Sequence, residues 1–93
     1  MKTFKDCKVG DDMYIILGTS VKIEKITKAF DIDDKTFWIH TESCGLPCPR
    51  NEGKYIYMFC TRDLAIDKLK EDLTLYQKYI DTIKESINDL KEI

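Results

Sequence analysis

His40, Cys44 and Cys48 follow one another at four-residue spacing, with Cys60 twelve residues further on and Cys7 far upstream. Imidazole nitrogen and thiolate sulfur are the ligands that tetrahedral zinc takes, and four of them suffice for one ion. Structural zinc commonly closes a Cys-x-x-Cys turn twice over, whereas this chain offers a single Cys-Gly-Leu-Pro-Cys turn whose remaining ligands must converge from strands. Three readings of the thiols stay open. They are zinc held among His40, Cys44, Cys48 and Cys60, a reversible Cys44 to Cys48 disulfide, and inert thiols in which Cys7 and Cys60 serve as small buried hydrophobes. The spacing favours the third, so neither metal nor cofactor is expected.

Other chemistry finds less support. His40 is the only histidine, so a Cys/His nucleophile pair would have to use it, and no third group marks itself as an orienter. The carboxylates gather in turns and along one helix surface, and none of the four glycines falls at nucleotide-binding spacing. The expectation is a protein that is not an enzyme. Net charge is −2, and acids interrupt every basic stretch; even the stripe Lys22, Lys25, Lys28 has Glu24 and the acidic turn Asp31, Asp33, Asp34 beside it. Clustered cations that displace counterions from phosphates are therefore missing, and nucleic acid is not the first partner to expect.

The elements that must position these groups divide the chain into 1–60 and 61–93. With 43% apolar and 34% charged residues, the 93-residue chain reads as one folded domain. No apolar run approaches bilayer-spanning length, and the opening Met-Lys-Thr-Phe-Lys-Asp lacks a secretory signal core, so the expected compartment is the cytoplasm, with reduced thiols. Lys8-Val9-Gly10-Asp11 turns the chain into a strand over 13–17, Gly18-Thr19-Ser20 into a second over 21–30, and the acidic turn into a third over 35–41. A breaker-rich loop over 42–53 precedes a last strand over 54–60. Val21 and Ile23 share one parity and Ile26 the other, which predicts a bulge or bend that lets one strand serve two sides of a small barrel.

Thr61 can cap a helix whose positive end carries Asp63, and neither Gly nor Pro occurs from Arg62 to Glu92. Such a helix is about 46 Å long, whereas a compact 60-residue body is roughly 27 Å across, so it must overhang. Ile66, Leu69, Leu73, Tyr76, Ile80, Ile83, Ile87 and Leu90 are spaced 3, 4, 3, 4, 3, 4, 3, a four-heptad seam. β-branched residues dominate its a positions, which favours two strands, and no second helix exists in the chain to receive it. The expected assembly is a homodimer, its helices parallel or antiparallel.

Lys8-Val9-Gly10-Asp11-Asp12-Met13-Tyr14, the short-strand spacing and the junction Tyr57-Met58-Phe59-Cys60-Thr61-Arg62-Asp63-Leu64-Ala65 resemble small SH3-like barrels of the KOW kind. With its terminal helix the arrangement is similar to short bacteriophage and prophage proteins. The resemblance implies an α+β fold, a barrel of about four to five strands followed by one long coiled-coil helix, and a phage setting; it carries no catalytic residue across.

If Phe37, Ile39, Ile56 and Met58 point into the barrel, then Trp38, His40, Tyr55, Tyr57 and Phe59 point outward on neighbouring strands. A helix of the same or a second subunit, a partner protein, or stacked single-stranded nucleic acid could cover that aromatic patch. The chain thus reads as a non-enzymatic adaptor or inhibitor that self-associates through its helix and binds a protein on this face. The alternative is a nucleic-acid-binding KOW-type barrel dimerised by its tail.

Overall fold

In the computed structural model of the chain, which describes Met1–Ile93, β1 (Asp12–Leu17) and β2 (Ser20–Asp31) form a hairpin around Gly18 and Thr19. Gly18 takes φ 63° at the first of the two loop residues, the place that a type II′ turn reserves for glycine. The next turn is acidic, as expected. The Asp33 carboxylate accepts the backbone N–H of Lys35 at 2.8 Å, and that bond holds Asp33 below the ordinary carboxylate range. It leads into β3 (Thr36–Thr41).

β2 carries a register shift, but not where the parity argument put it: alternation runs unbroken from Val21 to Ile26, outward at 21 and 23 and inward at 26, and the shift follows Ile26. Residues up to Lys25 pair with β1 and those from Ile26 onward with β3, with a register shift between Ile26 and Lys28. Val21 and Ile23 lie outside, opposite Ile16 and Tyr14, while Ile26 is buried inside; beyond the shift Ala29 packs inward and Phe30 is exposed.

Six strands form rather than four or five. The breaker-rich loop contains β4 (Gly45–Pro49), whose two prolines are tolerated because β4 is an edge strand. The expected last strand is instead a hairpin, β5 (Lys54–Tyr55) and β6 (Met58–Phe59), turning at Ile56 and Tyr57. The order β4-β3-β2-β1-β6-β5 makes an antiparallel, nearly closed barrel, and with the helix an α+β fold.

The core holds Met13, Ile15, Ile26, Phe37, Ile39 and Met58, together with Cys7, Cys48 and Cys60. Phe4 joins them, fully buried on a 3₁₀ turn over Phe4–Asp6, where the Asp6 carboxylate accepts from both the backbone N–H and the hydroxyl of Thr3. Glu24 fastens the strand ends: its carboxylate accepts from Thr41 Oγ1 at 2.8 Å and from the hydroxyl and backbone N–H of Ser43.

The helix α1 (Arg62–Lys91) starts at Thr61, whose hydroxyl accepts the N–H of Leu64 at 3.2 Å. Its first turns cover the outer face of β1 and β6, where Ala65 closes a cluster with Ile16 and Phe59, flanked by Tyr14, Leu64 and Leu69. The rest projects. The molecule measures 61 × 24 × 20 Å with a radius of gyration of 18.0 Å, against about 12 Å for a compact chain of this length. No helix is long and apolar enough to cross a membrane.

Candidate functional site

The outer face of β2 and β3 carries a row of three neighbouring rings, one pair stacked and the other tilted. Phe30 stands opposite Trp38 across the ladder with ring centroids 6.3 Å apart, and Trp38 meets His40 at 6.1 Å. On the far side Trp38 pairs with Pro47 and His40 with Gly45 of β4. Gly45 leaves room for these two rings, since a Cβ there would lie 2.6 Å from His40 Nδ1 and 2.7 Å from Trp38 Cζ2 and would make them shift. Lys28, opposite His40, is the cation on the row. Pro47 shares a shallow depression with Tyr55 across the gap between edge strands β4 and β5, which extends the apolar belt to that tyrosine.

The expected patch of five aromatics is therefore redistributed. Trp38 and His40 are outward, as expected, and Phe30 joins them. Phe59 is a correction: only 3% exposed, it lies beneath the helix with Ile16 and Ala65. Tyr57 is half-buried against the core beside Cys44, and desolvation raises its phenol above the usual range. Ile56 is 65% exposed at the hairpin tip, not inside the barrel. Nor are β3 and β5 neighbours, because they are separated by β4 and the barrel opening. The two-residue hairpin turn resets strand parity, and an alternation counted straight through 54–60 cannot see it.

The sulfur chemistry also rearranges. His40 lies outside the sheet against Trp38, whereas Cys44, Cys48 and Cys60 pack on the core, so the four proposed zinc ligands do not converge; no group of three or more His, Cys, Asp or Glu side chains is placed to hold a metal ion. Cys44 and Cys48 stand four residues apart along an extended edge, about 13 Å between Cα atoms, beyond the reach of a disulfide. Burial pushes the Cys48 thiol up to about 12. Cys7 and Cys60 are buried together, Sγ to Sγ 3.5 Å.

Along α1 the seam divides. Leu69 is half-buried against the barrel and Ile66 lies at its margin, in an apolar groove with Tyr14, Val21 and Ile23. Leu73, Tyr76, Ile80, Ile83, Ile87 and Leu90 are all exposed, Leu73 at 68%, Ile83 at 59% and Leu90 at 72%. Neither face holds a nucleophile next to a base. What the molecule presents is two apolar surfaces, one a row of rings on the barrel and one a helical seam. Set against family models, curated proteins and solved structures, the chain matches none of them.

Proposed function

We propose that the protein is a non-enzymatic binding module, an adaptor or inhibitor, that pairs with a second copy through α1 and offers the Phe30, Trp38, His40 row to a partner protein. The observation that carries this reading is the open seam: six large apolar residues at heptad spacing are exposed, Leu73 and Tyr76 beside the β1–β2 turn and the other four further along the projecting helix. Exposed apolar stripes of that length are covered in proteins that remain monodisperse. A second copy is the occupant whose spacing matches by construction.

The flanks give the pairing a direction. The e positions are Lys70, Gln77, Lys84 and Lys91, and the g positions Ala65, Asp72, Tyr79 and Ser86. Antiparallel helices would set the lysine column against itself, whereas parallel ones set it against the nearly uncharged g column. The pair is therefore parallel, with both barrels at one end. The compartment in this reading is the cytoplasm.

Light scattering on the intact chain tests the core of it: twice the chain mass is expected, and a monomer at high micromolar concentration overturns it. The second reading, a KOW-type nucleic-acid binder, is favoured by one observation, the row of rings with Lys28 alongside, which suits bases stacked on a strand. Titration with short single-stranded oligonucleotides separates the two. Binding with a steep salt dependence supports the second reading, and no binding supports the first.

A further inference from the structure

Cys7 and Cys60 are far apart in sequence, yet their sulfurs lie 3.5 Å apart in the buried core. Both are held from the backbone. Cys7 ends the 3₁₀ turn, which is tied down by Phe4 N–H to Glu52 O and Lys5 N–H to Arg50 O, and Cys60 N–H donates to Gly53 O just before the helix cap. Thiols that are only small hydrophobes have no need to meet sulfur to sulfur, and Cys48, which is as deeply buried, turns its S–H to the Leu46 carbonyl instead. The one other partner of either sulfur in the pair is the Thr3 carbonyl, 3.6 Å from Cys7.

We propose that Cys7 and Cys60 form a site of reversible thiol oxidation, which closes to an intramolecular disulfide on reaction with a small disulfide oxidant such as oxidised glutathione. The Cys7 thiolate attacks one sulfur of the oxidant, whose S–S bond breaks and releases one small thiolate. Cys60, deprotonated in turn, attacks the Cys7 sulfur of the mixed disulfide and expels the second. The two protein thiols lose two electrons and two protons; the oxidant gains them as two thiols. Cys7 is the attacking sulfur because hydrogen bonding to Cys60 and the nearby Lys2 ammonium hold its thiol below the ordinary range, while the same bond pushes Cys60 up. Cys7 ends the short 3₁₀ turn that precedes β1, so release of that turn and its Phe4 from the core, with the sheet intact, exposes it. Once closed, the bond fastens that turn to the residue before Thr61, and so ties the barrel to the root of the helix.

The test incubates the intact chain with excess oxidised glutathione, alkylates what remains free and maps the peptides. Expected are loss of two of the four free thiols, a mass lower by the two thiol hydrogens, one cross-linked peptide joining Cys7 to Cys60, and reversal by dithiothreitol. The melting temperature should rise by about 20 °C, because a loop of more than fifty residues is closed in the unfolded chain. A Cys44→Ser variant should behave identically. Four thiols still free, a stable glutathione adduct without ring closure, or a cross-link that uses Cys44 or Cys48 would each overturn the proposal.

Discussion

Trp38 and Gly45 are diagonal neighbours across β3 and β4, so close that a Cβ at position 45 would sit 2.7 Å from Cζ2 of the indole. The glycine thus leaves Trp38 and His40 the space they occupy in the Phe30, Trp38, His40 row. Gly45→Ala should push Trp38 and His40 aside and disperse the row. Trp38 is the only tryptophan, so its emission should shift toward longer wavelength, and partner capture on the row should weaken. The cost to stability should stay near 1 kcal/mol, since the half-buried rings of Trp38 and His40 stand on the outer face and can swing away. Unchanged emission would show that the row does not depend on this contact.

Features set by local rules were legible in the sequence. Gly18, Asp33 and Thr61 each act through the turn or cap geometry their side chains favour, and the seam of α1 is periodicity alone. Features that depend on which strand lies beside which were not. Phe30 belongs to the row because the acidic turn sets it opposite Trp38, a pairing readable only after the register shift near Ile26 is known. Phe59 is covered because α1 returns over β6, which no pattern within 54–60 announces. Phe4 had a signal, the Thr3 and Asp6 pair around an aromatic, in which the Asp6 carboxylate holds the first residue of the turn. The sulfur pair had none, since Cys7 and Cys60 meet only through the closed barrel.

Ile56 takes φ 53°, a left-handed conformation that a β-branched side chain adopts at a cost of roughly 1 to 3 kcal/mol. Its side chain is largely exposed, so little packing offsets that cost. Ile56→Gly should therefore stabilise the protein by about 1 kcal/mol after the extra freedom of glycine in the unfolded chain is counted. Ile56→Asn should fall between the two. Chemical denaturation measures both, and a destabilised glycine variant would mean that Ile56 is held by contacts stronger than its strain.

Glu24 accepts hydrogen bonds first from the Ser43 hydroxyl, then from Thr41, and these hold its carboxyl below the ordinary value of 4.5. Its folded value is thus lower than its unfolded one. The stability it contributes is complete above about pH 4.5 and is lost as pH falls through the folded value. Thermal melts of wild type and Glu24→Gln should differ most near neutrality and converge on acidification. The Asp6, Asp11 and Asp33 carboxylates, also held low, leave both proteins acid-sensitive. Parallel melting curves across the acid range would show that the bonds to Ser43 and Thr41 carry no linkage.

Ile80 and Ile83 lie beyond every contact between α1 and the barrel, at consecutive a and d positions of the seam, and both are exposed in the single chain. In a pair of helices each contributes about 1.5 to 3 kcal/mol of burial per side chain, and a carboxylate in its place would be desolvated without a partner. Ile80→Asp with Ile83→Asp should therefore halve the mass seen by light scattering. The barrel should keep its own melting transition, because Leu64, Ala65 and Leu69 still seal β1 and β6. A doubly substituted protein that retains the native mass would remove the seam as the assembly surface. The apolar groove of Tyr14, Val21, Ile23 and Ile66 would then be the place where two copies meet.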